Sequence, residues 1–267
     1  MKEVAILAIG NELLLGETQD SNTYWLCQQL TKMSAKVIRA VMLPDEINFI
    51  SEELKKLCTE KVSLIITSGG LGATEDDITL QAIAVATGVE LQLNSVAYEM
   101  VYKKLEELAQ AGRINSSDMT ESRKKMALLP VGSTPLENSV GTAPGVSLRY
   151  EESLIVALPG VPSELKAIFT GFFKEERLKF FGAYSERDVV VACGDESMLA
   201  PILSAVATIH PMVYIKSKAK DFVEEKFLIK LHARAEEQKV VNRLLDEAEL
   251  TLIEKLKEVG IGLYQKS

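Results

Sequence analysis

Three short apolar runs, Val4 to Ile9, Lys36 to Leu43 and Leu64 to Ser68, each stop at glycine or proline and give way to a helical pattern. Asp20, Ser21 and Asn22 offer caps for a helix through about Met33. Apolar positions at Ile47, Ile50, Leu54 and Leu57 mark a second helix, and a third opens at Thr74 and runs to about Thr87, where Gly88 stops it. Three successive strand-to-helix units predict parallel strands joined by right-handed crossovers. Amphipathic helices follow over 95–111 and from Asp118 to Leu129, then strands from Val146 to Tyr150 and Leu154 to Leu158, and a helix from Ser163 to about Phe173. The mixed stretch KEERLKFFGAYSE reads as a linker. Beyond it the rhythm is strand Asp188 to Ala192, helix Ser197 to Ala207, strand Met212 to Lys216, strand Lys226 to Ala233, and a long helix from Glu236 to about Glu258. The expected fold class is therefore α/β, a mostly parallel sheet in residues 1–174, with a second, smaller α+β domain of βαββα order in residues 175–267.

Candidate chemistry concentrates where the strands end. Gly69, Gly70 and Gly72 follow the third strand and precede Thr74, Glu75, Asp76 and Asp77. Glycines let backbone N–H groups approach a ligand, and a helix N-terminus carries partial positive charge, so the stretch predicts an anion site suited to phosphate. Asp76 and Asp77 would repel a phosphate unless a divalent cation sat between them, which points to metal-assisted chemistry on a diphosphate or nucleotide. Acids are also favoured in the first turn of any helix, so capping competes with this reading until the three glycines are weighed with them. Glu12 and Asp45 likewise stand at strand ends, where open α/β sheets bind ligands, although Asp45 also fits an N-cap and Glu12 a solvated carboxylate. Parallel strands would bring Glu12, Asp45 and Asp77 to one edge of the sheet. The basic cluster Arg123, Lys124 and Lys125 reads as a solvated helix face or, beside an anion site, as a counter-charge. A further loop, Asn138 to Gly145, and the LPGVP turn at 158–162 are small-residue loops at strand ends that could wall a flat ligand.

Composition narrows the partners. The chain has 267 residues, 47% hydrophobic and 25% charged, as expected for an ordinary globular protein. A net charge of −8 argues against a broad nucleic-acid or anionic-membrane surface, and a small-molecule ligand is expected instead. No apolar run reaches the length of a membrane span, and Val4 to Ile9 is too short for a signal segment. Cys27, Cys58 and Cys193 are odd in number and widely spaced, which suggests neither a disulfide framework nor a zinc site, so the cytoplasm is the expected compartment. His210 and His232, the only histidines, stand in strand-like contexts that disfavour a His-based triad.

The phrases GNELLLGE at 10–17, PDE at 44–46, GGLGATEDDIT at 69–79, NSVGTAPG at 138–145 and LPGVPSEL at 158–165 together resemble the competence/damage-inducible protein A (CinA) family. The first domain is similar to the three-layer molybdopterin-binding fold of MogA, MoeA and gephyrin, and residues 188–267 resemble the family's KH-like domain, with GDESMLAPIL in place of its GIGES-type motif. Two departures stand out: Ala73 replaces the proline of the family's GGLGPT, and RKKMA at 123–127 replaces an NRKQA-type motif. The amidohydrolase domain of longer members does not appear in these 267 residues, so nicotinamide mononucleotide hydrolysis is not expected. The resemblance implies metal-dependent ADP-ribose pyrophosphatase activity releasing AMP, with Mg²⁺, Mn²⁺ or Co²⁺ as cofactor. It implies that Asp77 holds the metal with Asp45 or Glu12, that Asn11, Glu12, Gly69, Gly70, Gly72 and Thr74 contact the ligand, and that Lys124 or Lys125 offsets transition-state charge. Asn138, Gly141, Thr142, Gly145 and Gly160 would then line the nucleoside pocket. Binding of a pterin phosphate, or adenylyl transfer in molybdenum cofactor metabolism, is the alternative, and a homo-oligomer is expected in either case.

Overall fold

A computed structural model describes residues 2–180, 182–221 and 226–263, without the side chains of 175–180 and 219–221. The chain divides into two compact units at about residue 180. In the larger, the elements are β1 (Glu3–Ile9), α1 (Asn11–Leu14), α2 (Ser21–Lys32), β2 (Lys36–Leu43), α3 (Ile47–Thr59), β3 (Leu64–Ser68), α4 (Thr79–Thr87), β4 (Leu91–Leu93), α5 (Ser95–Gln110), α6 (Glu121–Lys125), β5 (Leu128–Pro130), β6 (Thr134–Leu136), β7 (Gly145–Tyr150), β8 (Ser153–Leu158) and α7 (Pro162–Phe180).

The main sheet has the order β2-β1-β3-β8-β7-β6. Its first four strands are parallel, and β7 and β6 add on antiparallel. This is the mostly parallel α/β sheet expected from the sequence. Strands β3 and β8 are buried along their whole length, as continuous apolar runs covered on both faces should be. Alternate residues serve the two faces. Ala5, Leu7, Ile9, Ile65, Ile155 and Ala157 share one core with Ile50, Leu54 and Leu57 of α3, Ile83 of α4 and Val101 of α5. On α2 and α7, Trp25 meets Phe169 edge to face, with ring centroids 5.2 Å apart. The small β4–β5 ribbon stands apart from the main sheet.

Several local readings of the sequence are corrected. The helix expected at Thr74 begins at Thr79 instead, because the Asp77 carboxylate accepts the Thr74 N–H at 2.8 Å and shares the Thr74 hydroxyl with Asp76, closing a tight turn. Thr79 N–H then returns to Gly70 O at 3.1 Å. The helix expected over 118–129 is confined to Glu121–Lys125, since Leu128–Pro130 pairs with β4 and packs Leu129 into the core. The stretch expected as a linker is the last turns of α7 followed by a strand.

The smaller unit carries β9 (Ala183–Ala192), a 3₁₀ turn at Glu196–Met198, α8 (Ala200–Ile209), β10 (Val213–Asp221), β11 (Lys226–Ala235), α9 (Gln238–Glu258) and β12 (Gly262–Leu263). It keeps the expected strand–helix–strand–strand–helix order in an antiparallel sheet, β10-β11-β9-β12. Phe227, Ile229, Leu231 and Ala233 alternate into a core with Val206 of α8 and Val241, Leu245 and Leu252 of α9. The other face carries His232 between the rings of Tyr214 and Tyr184, at 4.6 and 5.7 Å between centroids. His210 caps the end of α8 rather than lying in a strand.

Two stability measurements test this packing. Asn22 of α2 donates from Nδ2 to Ser68 Oγ (3.0 Å) and to Gly160 O (2.7 Å), tying α2 to β3 and to the β8–α7 turn. Asn22→Ala leaves these acceptors unpaired and should lower the free energy of urea unfolding by about 1–3 kcal/mol; an unchanged midpoint would deny the clamp any weight. In the smaller unit, burial and then the nearby Arg234 charge hold the His232 pKa below its ordinary value. Its neutral form is therefore the native one, so its stability contribution is intact above about pH 6.5 and lost as pH falls through the folded value. Acidification from pH 7.5 to 5.5 should lower the unfolding midpoint more in wild type than in His232→Phe, and equal losses would refute this.

Candidate functional site

Strands β1, β3 and β8 end side by side, and their C-terminal ends open into a cavity of about 610 Å³. Parallel α/β sheets bind ligands at this edge. The strand ends approach so closely that backbone replaces side chains. Gly69 has φ +111°, and a Cβ there would overlap Ile9 O; Gly70 has φ +68°, and a Cβ would overlap the Thr79 hydroxyl. Gly69 N–H donates to Leu158 O at 2.9 Å, and a Cβ on Gly160 would stand 3.5 Å from Gly69 Cα. Thr79 holds the turn from beneath, its hydroxyl donating to Gly69 O at 2.8 Å.

Among the described residues, the N–H groups of Gly70, Leu71, Gly72 and Ala73 meet no protein acceptor, while Gly70, Leu71 and Gly72 line the cavity. Successive free N–H groups of this kind form an anion cradle without needing a helix terminus. The unpaired N–H groups belong to the glycine turn alone, because α4 starts later than expected and adds no helix terminus beside them.

The cavity brings together Glu12, Asp45, Gly69, Gly70, Gly72, Asp77, Thr142 and Gly160 of the expected residues. Glu12, Asp45 and Asp77 share it, yet no group of three or more His, Cys, Asp or Glu side chains among the described residues converges to hold a metal ion. The expected arrangement, Asp77 with Asp45 or Glu12, asks for two carboxylates, and all three of these side chains border the cavity. Asp45 Oδ2 accepts from Asn11 N–H at 2.8 Å, which ties the β2–α3 loop to the start of α1, while Asp77 Oδ2 is engaged by Thr74 of its own loop. Asn11 supports Asp45 and does not itself line the cavity, and Thr74 plays the same part for Asp77.

Lys125 lies beside a small adjoining pocket with Gly70, Gly72 and Asp77, its Nζ donating to Thr74 O. It neutralises the loop's carbonyls from outside the main cavity. Lys124 pairs with Glu121 at 2.7 Å on the exposed side of α6 and does not reach the cavity. Of the expected nucleoside loop, Thr142 lines the cavity and Asn138 supports it from behind. Gly145 is buried against Ile168 of α7, a packing position where a Cβ would crowd that side chain.

Two residues, Glu164 and Asn22, escaped the sequence reading as site components. Glu164 lines the cavity, although in the sequence it is an ordinary first-turn acid of α7. Asp76 lines it too, its carboxyl held below the usual range chiefly by the Thr74 hydroxyl, then by its own backbone N–H, with a smaller contribution from Lys125. Asn22 passed for a helix cap, and nothing in the sequence reveals its bond to Gly160 across 138 positions.

Comparison with known proteins bears on what such a cavity holds. Residues 5–179 match the family described as a probable molybdopterin binding domain. Protein PAE0875 of Pyrobaculum aerophilum is 40% identical over 263 residues, covering 96% of both chains. Protein PF0476 of Pyrococcus furiosus is 37% identical over 219 residues, covering 81% of this chain and 85% of that one. Among solved structures, the protein CinA of Thermoplasma acidophilum, described as of unknown function, superposes with a TM-score of 0.59 at 32% identity, covering 65% of this chain and 98% of its own.

The hydrogen bond that depresses Asp76 yields a direct test. In Thr74→Val the hydroxyl donor is gone, so the Asp76 carboxyl should titrate at a higher pH than in wild type, toward the ordinary value near 3.9, followed by carboxyl ¹³C NMR. An unmoved Asp76 titration would show that Thr74 does not set it.

Proposed function

Since the chain belongs to the probable molybdopterin binding domain family, we propose that the strand-end cavity binds a phosphate-bearing pterin, with the Gly70–Gly72 turn taking the phosphate. The observation that carries this reading is that Gly70, Leu71 and Gly72 line the cavity and that their N–H groups meet no protein acceptor among the described residues. A phosphate there completes donors that the fold would otherwise leave unpaired, and charge-assisted bonds of this kind are the strong ones. Gly160 and Pro159 flank the cradle, and Met126, Val161 and Pro162 provide apolar wall for a ring.

A divalent cation is part of the proposal. The donor set is all oxygen, which suits Mg²⁺ or Mn²⁺, and Mg²⁺ commonly takes only one or two carboxylates, filling its shell with phosphate oxygens and water. Asp45 and Asp77 are the side chains that would hold it, with Asp76 adjacent. When bound, such an ion offsets the repulsion between phosphate and carboxylates and lowers the pKa of a bound water. The chain's own part is positional: the glycine turn fixes the phosphate, Thr74 and Asn11 fix Asp77 and Asp45, and Lys125 stiffens the turn through Thr74 O. The same carboxylates beside a phosphate cradle support a second reading, metal-dependent cleavage of ADP-ribose to AMP.

One set of assays separates the two. By calorimetry in Mg²⁺, wild type should bind a phosphorylated pterin at least about 10-fold more tightly than the same pterin without phosphate, the worth of one or two charge-assisted bonds. Equal affinities would remove the cradle's role. If no pterin bound, and ADP-ribose with Mg²⁺, Mn²⁺ or Co²⁺ released AMP from wild type but not from Asp77→Ala, the hydrolase reading would replace the pterin one.

A further inference from the structure

We propose that Glu164 is the specificity residue of the cavity, accepting hydrogen bonds from the paired N–H and NH₂ donors of a 2-amino-4-oxo heterocycle, the edge shared by pterin and guanine and absent from adenine. This rests on the pterin reading above and adds to it the group that recognises the ring.

Glu164 lines the same cavity as the glycine turn, from the first turn of α7. Its Oε2 accepts from Asn138 Nδ2 at 2.7 Å. Asn138 is itself immobilised: Nδ2 also donates to Ala143 O at 2.8 Å, and Oδ1 accepts from Gly141 N–H at 2.8 Å and Val140 N–H at 3.1 Å. The loop folds so tightly over the carboxylate that a Cβ on Gly141 would overlap both of its oxygens. Glu164 is thereby held in place before any ligand arrives. Its Oε1 meets no donor among the described residues, and Oε2 keeps a second lone pair. A carboxylate so held presents two acceptors in one plane.

The chemistry of the ligand follows from that pair. Pterin and guanine offer a ring N–H beside an exocyclic NH₂, two parallel donors that match a carboxylate. Adenine offers an unprotonated ring nitrogen beside its NH₂, so one carboxylate oxygen would face a lone pair and lose its bond. A site built to accept a donor pair rejects the analogue that lacks it, because its own polar atoms are left unpaired. No cationic side chain lines the cavity among the described residues, so an acceptor-rich ring edge finds no competing partner there.

Calorimetry with a pterin phosphate, GMP and AMP, on wild type, Glu164→Gln and Gly141→Ala, tests the assignment. Wild type should prefer the pterin phosphate and GMP over AMP by roughly 10- to 100-fold, the discrimination of one bidentate contact. Glu164→Gln keeps the side chain's size and can still accept from Asn138, but it turns one acceptor into a donor, which costs pterin phosphate and GMP a bond and suits the lone pair and NH₂ of adenine; the preference should disappear or reverse. Gly141→Ala should displace the carboxylate and weaken the preference in the same direction, with thermal unfolding confirming that both variants fold. Wild type that binds pterin phosphate and AMP equally, or a Glu164→Gln protein that keeps the preference, overturns the proposal while the phosphate cradle stands. Failure of all three ligands to bind wild type overturns the pterin reading and this assignment with it.

Discussion

The fold of the larger unit turns on a steric constraint: where β1 and β3 end side by side, Gly69 lies so close to the Ile9 carbonyl that no Cβ fits between them. Gly160 stands against Gly69 and Gly70 sits on the Thr79 side chain, while Thr79 and Asn22 bond the turn's carbonyls from their own elements. The turn that follows from this leaves the N–H groups of Gly70, Leu71 and Gly72 unpaired, and the carboxylates of Asp45, Asp77 and Glu164 line the same cavity.

The structure restrains these carboxylates rather than leaving them to repel one another. Asp45 is tied to the Asn11 amide, Asp77 to the Thr74 amide and hydroxyl, and Glu164 to Asn138. Asp45 and Glu164 are thus fixed by neighbouring segments and Asp77 by its own turn, while Lys125 donates to Thr74 O of the acidic turn without entering the main cavity. The result is a turn of unpaired N–H groups bordered by fixed acceptors, a combination suited to a ligand with phosphate at one end and N–H donors at the other.

Much of this was legible along the chain. Alternation between apolar runs and helical patterns marked the parallel strands, because strands buried on both faces must be apolar throughout, and the glycines after β3 announced a turn at the ligand edge. What was not legible depended on side chains bonding across the fold. The turn closed by Asp77 on Thr74 competes locally with helix formation, so α4 starts five residues later than its pattern suggests. The short strand at Leu128 cannot be told from a helix end without its partner Leu93. The helix over 174–180 has a polar, mixed composition that reads equally as a linker. Glu164 and Asn22 were hidden because each has an ordinary local explanation, a first-turn acid and a helix cap, that conceals its long-range bond.

The central claim is that the free N–H groups of the glycine turn are the ligand's phosphate site. The most direct measurement is a ¹H–¹⁵N spectrum of the protein titrated with inorganic phosphate. The amides of Gly70, Leu71 and Gly72 should shift downfield together with one saturation curve, while those of Gly69 and Thr79, already bonded to Leu158 O and Gly70 O, move little. Saturable shifts confined to another part of the protein, or none at the turn at any phosphate concentration, would contradict the account.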